Sequence, residues 1–437
     1  YVPTNNFHFV SAPVKTQALG DFVLNKANNI QLSASGKYSI AKYENTNPSG
    51  KRWEYYTEAS GPFAARPAGN FIQGKGYSIL RGEAGIYSFK GEISTEYVAL
   101  AIPAPTEHRW YIVGNPYTSF LPVNNGSNMV NNILKQNLEN LEPSKAALYF
   151  WDGTAYNPVN HASEAFYLPP GQAFMVNPKS DYTVFEFPKD LQTSQTKTRA
   201  TFKKKKEVPQ IIIILKSGDE TKETVLKYFE NTTTGLDVGY DAGAFTDVVP
   251  PFAIYTHLVT NSEGINYTLQ CLPNTDYEAS IVPLSVASEA NKTLNFSVLT
   301  LNLPLGLNVF LEDRDNKTFT DITTTSYQVT LTNSLKGIGR FYLHTAESVL
   351  DIEEEQAMNS FNMYKTSNTN LRISGLQQNG NAVVKIYTLI GEEVLSHSFK
   401  VIGLNDIKLP DNLASGVYLV QLATGGGRQI KKLIIEN

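Results

Sequence analysis

The arrangement of apolar and polar residues predicts a chain built mainly of short β-strands. Through residues 1–192, short apolar or alternating runs predict strands, among them Lys37–Tyr43, Ala173–Val176 and residues 85–89, and Gly, Pro and Asn separate these runs. Alternation with a period of two is typical of strands that bury one face. Between residues 128 and 141, apolar residues instead recur every three or four positions, which predicts one helix that ends before Pro143.

The same pattern divides the 437 residues into modules, because a chain of this length exceeds one ordinary core. Residues 1-195 form a β-rich module with the helix, and a polar linker follows. Short, evenly spaced strand candidates in residues 200-346 predict an Ig-like β-sandwich. An acidic linker, residues 347-358, leads to a small C-terminal β-module, residues 359-437. The predicted fold class is all-β, with tandem β-sandwich-like modules and a small C-terminal β-sandwich.

Composition narrows the function classes. The net charge is −4 and only 18% of the residues are charged, which argues against a nucleic-acid binder. No apolar run reaches the length of about 18 to 20 residues that spans a membrane. The run Lys203 to Lys206 precedes the very apolar residues 211–215. We interpret these lysines as a guard against self-association of that strand, and a patch for polyanions or membranes is the alternative.

Cys271 is the single cysteine, so no disulfide can form within the chain. It alternates in phase with Tyr267 and Leu269, which favours a small buried apolar residue over a reactive thiol.

Three short β-type runs near the C-terminus form the most informative part of the sequence. The last of them, around residues 431–435, is so apolar that it must pair inside a small sheet. Gly391 and Gly416 lie where strands turn, and Gly supplies positive φ at low cost. Tyr418 should point to the face opposite Val417 and Leu419.

These runs resemble the type A C-terminal sorting domain of type IX secretion system cargo from Bacteroidetes-type bacteria. That family has a Tyr-containing strand before Leu-x-Gly, then Leu-x-x-Gly-x-Tyr, then a terminal strand with two lysines. The pattern falls here on Tyr387, Gly391, Leu413, Gly416, Tyr418, Lys431 and Lys432. We expect the two lysines to flank the last strand and limit edge pairing. Residues 363–373 lack the prolines with which such domains usually open.

The resemblance implies partner proteins that the chain meets during its export. An outer-membrane shuttle β-barrel would recognise the folded domain, and a translocon would pass the protein to the cell surface or medium. A sortase would then cut in the joint before the domain, for which residues 347–358 are the candidate. An uncut linker is the alternative.

The upstream modules resemble a recurrent non-enzymatic pair in such cargo. The landmarks of the first are residues 74–77, 110–117 and 169–174, and those of the second are residues 237–242, 311–313 and 340–344.

The sequence contains no recognisable set of catalytic residues. The six histidines show no metal-binding spacing, and neither a nucleophile elbow nor a phosphate-binding loop occurs. We therefore expect no enzyme activity, no cofactor and no metal. Asp313, Asp315, Asn316 and Asp321 are the weak exception, because their oxygens suit calcium. An Asx-rich turn is the favoured interpretation of that segment.

Aromatic residues offer the other candidate site. Trp53 and Trp151, with Tyr55 and Tyr56, combine apolar faces with polar edges and could form a sugar-stacking platform. Alternation places Trp53 and Tyr55 on one strand face and Tyr56 on the other. Core packing is the favoured interpretation, and glycan binding is the alternative.

The leading hypothesis is an exported, non-catalytic surface protein that binds, with a gliding-motility adhesin as the most concrete form. The alternatives are the accessory C-terminal region of a larger secreted enzyme, such as a polysaccharide hydrolase or protease, and a carbohydrate-binding module. The sequence given starts at Tyr1 and shows no signal peptide, so either one was removed or Tyr1 lies inside a longer polypeptide. Because residues 7–14 already have a strand pattern, we expect the chain to be a C-terminal portion of a larger protein.

Overall fold

The computed structural model describes residues 2, 6–57, 69–103, 108–180, 183–194, 208–245, 249–275, 277–278, 280–346, 362–367, 370–374, 376, 380–401, 404–410, 413–424 and 427–435. Strands dominate these residues, and the predicted all-β fold is confirmed. The polylysine run 203–206, most of the polar linker and the acidic linker 347–358 lie outside the described residues.

The first part of the chain contains short strands and short helices. The strands are β1 (His8–Ser11), β2 (Val14–Lys15), β3 (Lys37–Tyr43), β4 (Trp53–Thr57), β5 (Gly76–Ile79), β6 (Glu92–Ile93), β7 (Val98–Ile102), β8 (Tyr111–Gly114), β9 (Leu121–Pro122), β10 (Leu148–Trp151), β11 (Tyr156–Val159), β12 (Tyr167–Leu168), β13 (Ala173–Val176) and β14 (Thr183–Phe187). The α-helices are α1 (Leu19–Leu24) and α2 (Ile133–Asn137), and 3₁₀ turns cover Lys26–Asn28, Leu138–Asn140, Pro143–Lys145 and Lys189–Leu191.

The second part, up to residue 346, has longer strands. They are β15 (Gln210–Ser217), β16 (Glu220–Phe229), β17 (Ala242–Gly243), β18 (Ala253–Thr256), β19 (Tyr267–Pro273), β20 (Val282–Ser288), β21 (Thr293–Leu301), β22 (Asn308–Asp313), β23 (Thr318–Asp321), β24 (Tyr327–Thr330) and β25 (Leu335–Ala346).

The C-terminal part contains β26 (Asn362–Ser367), β27 (Asn370–Ser374), β28 (Asn381–Thr388), β29 (Glu393–Lys400), β30 (Leu404–Lys408), β31 (Gly416–Thr424) and β32 (Gly427–Ile435).

The predicted helix is present but shorter than residues 128–141. Asn128 accepts hydrogen bonds from the backbone N–H groups of Val130 and Asn131 in a local turn, and the helix starts only after Asn132. The Asn132 side chain caps it by accepting from the Lys135 N–H at 2.8 Å. The six-residue helix α1 was not predicted, and residues 85–89, predicted as a strand, form none. Tyr87 and Phe89 instead pack their rings against Phe22 of α1.

The chain divides into two compact units, and their boundary differs from the predicted module boundary. Unit 1 consists of residues 1–205 together with Val238–Asp247, and unit 2 contains the rest. Residues 238–247, which the sequence pattern assigned to the second module, therefore belong to unit 1. We call them the returning segment.

Unit 1 is assembled from small sheets, of which two have four strands, in the orders β1-β5-β3-β4 and β11-β10-β13-β8. One core cluster gathers buried residues of β7, β8, β10, β13 and β14 with α2, and another gathers β1, β3 and β5 with α1.

In unit 2, ten strands follow one another in one sheet, in the order β23-β22-β25-β20-β18-β19-β16-β15-β21-β24. The rings of Phe296 on β21 and Phe341 on β25 lie 4.6 Å apart, although five strands separate β21 from β25 in that order. The sheet thus folds over its own core. Strand β15, which the lysine run would guard, pairs on both sides and is interior.

Residues 362–435 of unit 2 form a small sandwich. The sheets β26-β27-β30 and β29-β28-β31-β32 enclose a shared apolar core. The terminal strand β32 pairs with β31 over its whole length, as its apolar sequence requires, and it forms an edge of this sheet among the described residues.

Candidate functional site

The landmarks of the first module meet at one backbone junction in unit 1. The Gly114 N–H donates to the Gly74 carbonyl at 2.8 Å, and the Asn115 N–H donates to the Gln172 carbonyl at 3.0 Å. A Cβ on Gly76 would lie 2.4 Å from Ile112 and 2.8 Å from Ala173. These motifs therefore need glycine for close packing, and their role in the junction is structural.

The returning segment packs on the rest of unit 1, and its backbone carbonyls accept hydrogen bonds there. The His161 N–H donates to the Gly239 carbonyl at 2.8 Å, and the Tyr149 hydroxyl donates to the Gly243 carbonyl at 2.7 Å. A Cβ on Gly243 would lie 2.6 Å from the Ser144 carbonyl oxygen, so glycine permits the contact. Burial lowers the pKa of His161 to about 4, with a smaller contribution from the Lys135 charge, which keeps the ring neutral beside the segment.

The two tryptophans of the predicted glycan site lie in one continuous set of aromatic rings in unit 1. Trp53 contacts Phe9 with ring centroids 5.7 Å apart, Phe9 contacts Tyr156 at 6.1 Å, and Tyr156 contacts Trp151 at 4.9 Å. Phe245 of the returning segment stacks on Tyr156 at 3.8 Å. We call Trp53, Phe9, Tyr156, Trp151 and Phe245 the aromatic strip.

The pairing of strands determines the positions of the rings in the aromatic strip. Trp151 and Tyr156 are direct partners across the hairpin of β10 and β11. Strands β1 and β4 are the two edges of their sheet, and Ser78 and Ala41 lie between them in the register. The row that runs from Phe9 through these two small side chains ends at Tyr55, and Trp53, two residues away on β4, contacts the Phe9 ring.

The strip is neither fully core nor fully exposed. Phe9 is buried, whereas Trp53, Trp151, Tyr156 and Phe245 are half-buried. As alternation predicts, Tyr55 lies on the Trp53 face and is 39% exposed, while Tyr56 packs against the core cluster on the other face. Phe9, Tyr156 and Phe245 were not predicted as partners, because the contacts join residues far apart in the sequence.

Two of the three landmarks of the second module, residues 311–313 and 340–344, pair with each other, whereas residues 238–242 belong to the returning segment of unit 1. On adjacent strands β22 and β25, the Arg340 guanidinium donates to both carboxylate oxygens of Asp313 at 2.8 and 2.9 Å. His344 Nε2 lies 2.9 Å from a Glu312 oxygen, and Arg314 bonds the same carboxylate. Burial opposes ionisation of Glu312, but His344 and Arg314 outweigh it and lower its pKa.

These bonds occupy the proposed calcium ligand Asp313. Its carboxylate also accepts from the backbone N–H groups of Asp315 and Asn316, which is an Asx-type turn, and from the Tyr327 hydroxyl. No cluster of three His, Cys, Asp or Glu residues suited to a metal occurs in the described ranges. Cys271 is fully buried on β19, as its alternation predicts.

Part of the sorting pattern lies in the core of the small sandwich. Leu413 and Tyr418 are buried, and Val417 and Leu419 point to the opposite face from Tyr418, as predicted. The Tyr418 hydroxyl donates to the Ala414 carbonyl at 3.0 Å.

The two glycines of the pattern differ. Gly391 has φ +90° in the turn between β28 and β29, where its N–H donates to the Thr388 carbonyl at 3.0 Å. Gly416, expected to need positive φ, does not have it. It begins β31, and a Cβ there would meet only the Tyr418 ring, at 3.9 Å.

The two lysines lie within β32, and the expectation that they flank the strand is wrong. Lys431 pairs with Val420 on the core-facing side, where burial lowers its pKa. Lys432 pairs with Leu419 and is exposed on the outer face. Tyr387 also pairs with Leu419, so Tyr387, Leu419 and Lys432 form one row across three strands.

A family model described as a domain of unknown function, DUF8693, matches residues 4–344. The chain belongs to the DUF8693 family. A second model, described as a secretion system C-terminal sorting domain, matches residues 365–436. This DUF8693 protein is therefore a Bacteroidetes-type cargo protein with a type IX sorting signal, exported to the cell surface or secreted. No curated protein matches the chain.

Among the described residues, no helix of this DUF8693 protein has the length and apolar character needed to span a membrane.

Proposed function

We propose that this DUF8693 protein acts outside the cell by binding, as an adhesive surface protein without catalytic activity, and that a gliding-motility adhesin is its most concrete form. The observation that carries the proposal is the aromatic strip of unit 1. Its two tryptophans, far apart in the sequence, are joined through Phe9 and Tyr156 and keep part of their surface in solvent.

The chemistry of the strip suits a glycan. Aromatic rings pack against the apolar faces of sugars, and Trp and Tyr also bring a polar edge. The rings are held by strand pairing and by one another, so binding would cost little side-chain entropy. Beside Trp151, the Asp152 carboxylate accepts from the Asn157 amide at 2.7 Å and from the backbone of the turn, which places ordered polar groups at the rim.

A glycan array with the purified chain tests the proposal. We expect Trp53→Ala and Trp151→Ala each to weaken binding about tenfold, which corresponds to about 1.4 kcal/mol. Tyr97→Ala is the matched control, because Tyr97 is an exposed aromatic residue of unit 1 outside the strip. Unchanged binding in both tryptophan variants, with Tyr97→Ala also unchanged, would contradict the glycan site.

The full-length gene product tests the adhesive role separately. Adhesive repeats or lectin-like domains joined to this chain would support it. A catalytic domain in the same polypeptide would overturn it in favour of an accessory region of a secreted enzyme.

For transit, we propose recognition by an outer-membrane shuttle β-barrel, passage through the translocon, and sortase cleavage within residues 347–358. The proposal is supported by the sorting-domain match, which starts a few residues beyond that linker. Peptide mapping of the surface form checks the cleavage. We expect peptides from residues 1–346 and none from residues 362–435, whereas recovery of both sets would contradict it.

A further inference from the structure

The sorting pattern separates into residues whose side chains face the core of the small sandwich and residues whose side chains face outward. Leu413 and Tyr418 are buried in the sandwich core, and Lys431 lies on the core-facing side of β32. The two glycines have no side chain to recognise. Tyr387 and Lys432 remain, and both point outward from the sheet β29-β28-β31-β32.

These two residues belong to one row that crosses the whole sheet. The pairing register places Glu393 beside Tyr387, Tyr387 beside Leu419, and Leu419 beside Lys432. Alternation puts all four on the outer face, because the core-facing neighbours Ile386 and Val420 are fully buried.

Exposed apolar side chains surround the row. In the next row, Ile430 on β32 is 59% exposed. At the turn beside Tyr387, Leu389 and Ile390 are 66% and 90% exposed, and the positive φ of Gly391 closes that turn. Exposed apolar side chains grouped in one place mark interaction surfaces.

The charges of this surface indicate the partner. Lys385 lies 2.8 Å from Glu393, and this hydrogen bond lowers the pKa of the Glu393 carboxyl. The acid end of the row is thus neutralised within the domain. Lys432, at the other end, has no ion-pair partner among the described residues. The surface therefore presents a cation beside apolar side chains.

We infer that Tyr387, Leu419, Lys432 and Ile430, with the turn residues Leu389 and Ile390, form the sorting face. Its partner is a protein of the type IX machinery that offers an apolar pocket and a carboxylate for Lys432. The inference rests on the export role of the domain, and it specifies which side chains of the domain the type IX machinery recognises.

Export of the full chain from a type IX-secreting bacterium tests the sorting face. We expect Lys432→Glu and Ile390→Asp each to reduce the exported fraction at least tenfold. Lys432→Arg and Lys400→Glu should stay within twofold of the parent chain. Lys400 is the matched control, because it lies on the same outer face at the far end of β29, next to Asn381.

Two comparisons keep the result interpretable. Purified variants should give the parent's limited-proteolysis pattern, which shows that the sandwich is folded; both changed side chains are exposed, so folding should persist. A chain that lacks residues 359–437 should be retained in the cell. If that truncation is retained while both face variants are exported normally, the sorting face is wrong and the sorting role stands. If the truncation is exported, the sorting role itself fails.

The partner is checked by a photo-crosslinking residue in place of Tyr387. A crosslink in exporting cells to an identified protein of the outer-membrane machinery supports the inference. A crosslink only to a second copy of the chain, or to none of the machinery proteins, overturns it.

Discussion

One buried side chain, His257, contributes to the pH dependence of the stability of unit 2. His257 is almost fully buried, and its Nε2 lies 2.8 Å from the Asn266 side-chain oxygen. Burial lowers the His257 pKa from 6.5 to about 4, although the Asn266 hydrogen bond opposes the shift. The neutral ring therefore stabilises the fold fully above pH 6.5, and this contribution is lost as the pH falls toward 4.

We expect the free energy of unfolding of unit 2 to fall by up to about 3 kcal/mol between pH 6.5 and 4 through His257. Hydrogen exchange of peptides from β18 and β19 measures it across that range. His257→Gln should flatten the pH dependence, whereas the exposed control His397→Gln should retain it. Equal slopes in both variants would contradict the role of His257.

At the scale of single residues, the sequence predicted correctly the side-chain directions that follow from alternation along one strand. The burial of Cys271 and the inward direction of Tyr418 follow from a period of two within one strand. The opposite directions of Lys431 and Lys432 follow from the same rule once β32 is known to run through both residues. The expectation that they flank the strand failed because the position of a strand end depends on its partner β31.

At the scale of elements, the contribution of an ion pair between neighbouring strands to stability depends on how deeply the pair is buried. The Asp313 side chain is 1% exposed, and Arg340 covers it from β25. In the small sandwich, Arg372 and Asp406 lie as close, at 2.6 Å, but their side chains are 31% and 46% exposed.

We expect Arg340→Ala to destabilise unit 2 by roughly 3 to 5 kcal/mol, since it leaves a buried carboxylate without its cation. Arg372→Ala should cost less than about 1 kcal/mol, because water screens an exposed pair. Urea unfolding followed by hydrogen exchange at β22 and at β27 compares them. A larger loss at β27 would reverse this ranking.

The elements were predictable to different degrees. Strands such as Lys37–Tyr43 and Ala173–Val176 match their predicted bounds, because their patterns are uninterrupted. Helix α2 was predicted too long, because Asn128 holds the preceding turn through its own side chain. The aromatic strip was predicted only as separate tryptophans, since its contacts depend on the pairing of distant strands.

At the scale of the whole molecule, the returning segment ties unit 1 to a later part of the chain. Its ring Phe245 contacts Trp110 at 4.2 Å as well as Tyr156. Module boundaries drawn from local pattern place this segment with its sequence neighbours, because nothing local marks a chain that crosses back.

We expect Phe245→Ala to destabilise unit 1 by about 2 kcal/mol, because the ring is half-buried and its removal uncovers Trp110 and Tyr156. Tryptophan fluorescence in urea measures this directly, since all three tryptophans lie in unit 1. Tyr97→Ala, in the same unit, should change the free energy of unfolding by less than about 0.5 kcal/mol. An unchanged midpoint in Phe245→Ala would show that the Phe245 ring adds no stability to unit 1.

The returning segment also constrains the order in which the protein can fold. Its hydrogen bonds with Asn160 and Tyr149 join residues 80 and 94 positions apart in the chain. During synthesis, the packing around Trp110 therefore stays incomplete until residue 245 has left the ribosome. Closing such long loops slows folding. Unit 1 therefore cannot reach its native state until β15 and β16, the first two strands of unit 2, have also been synthesised.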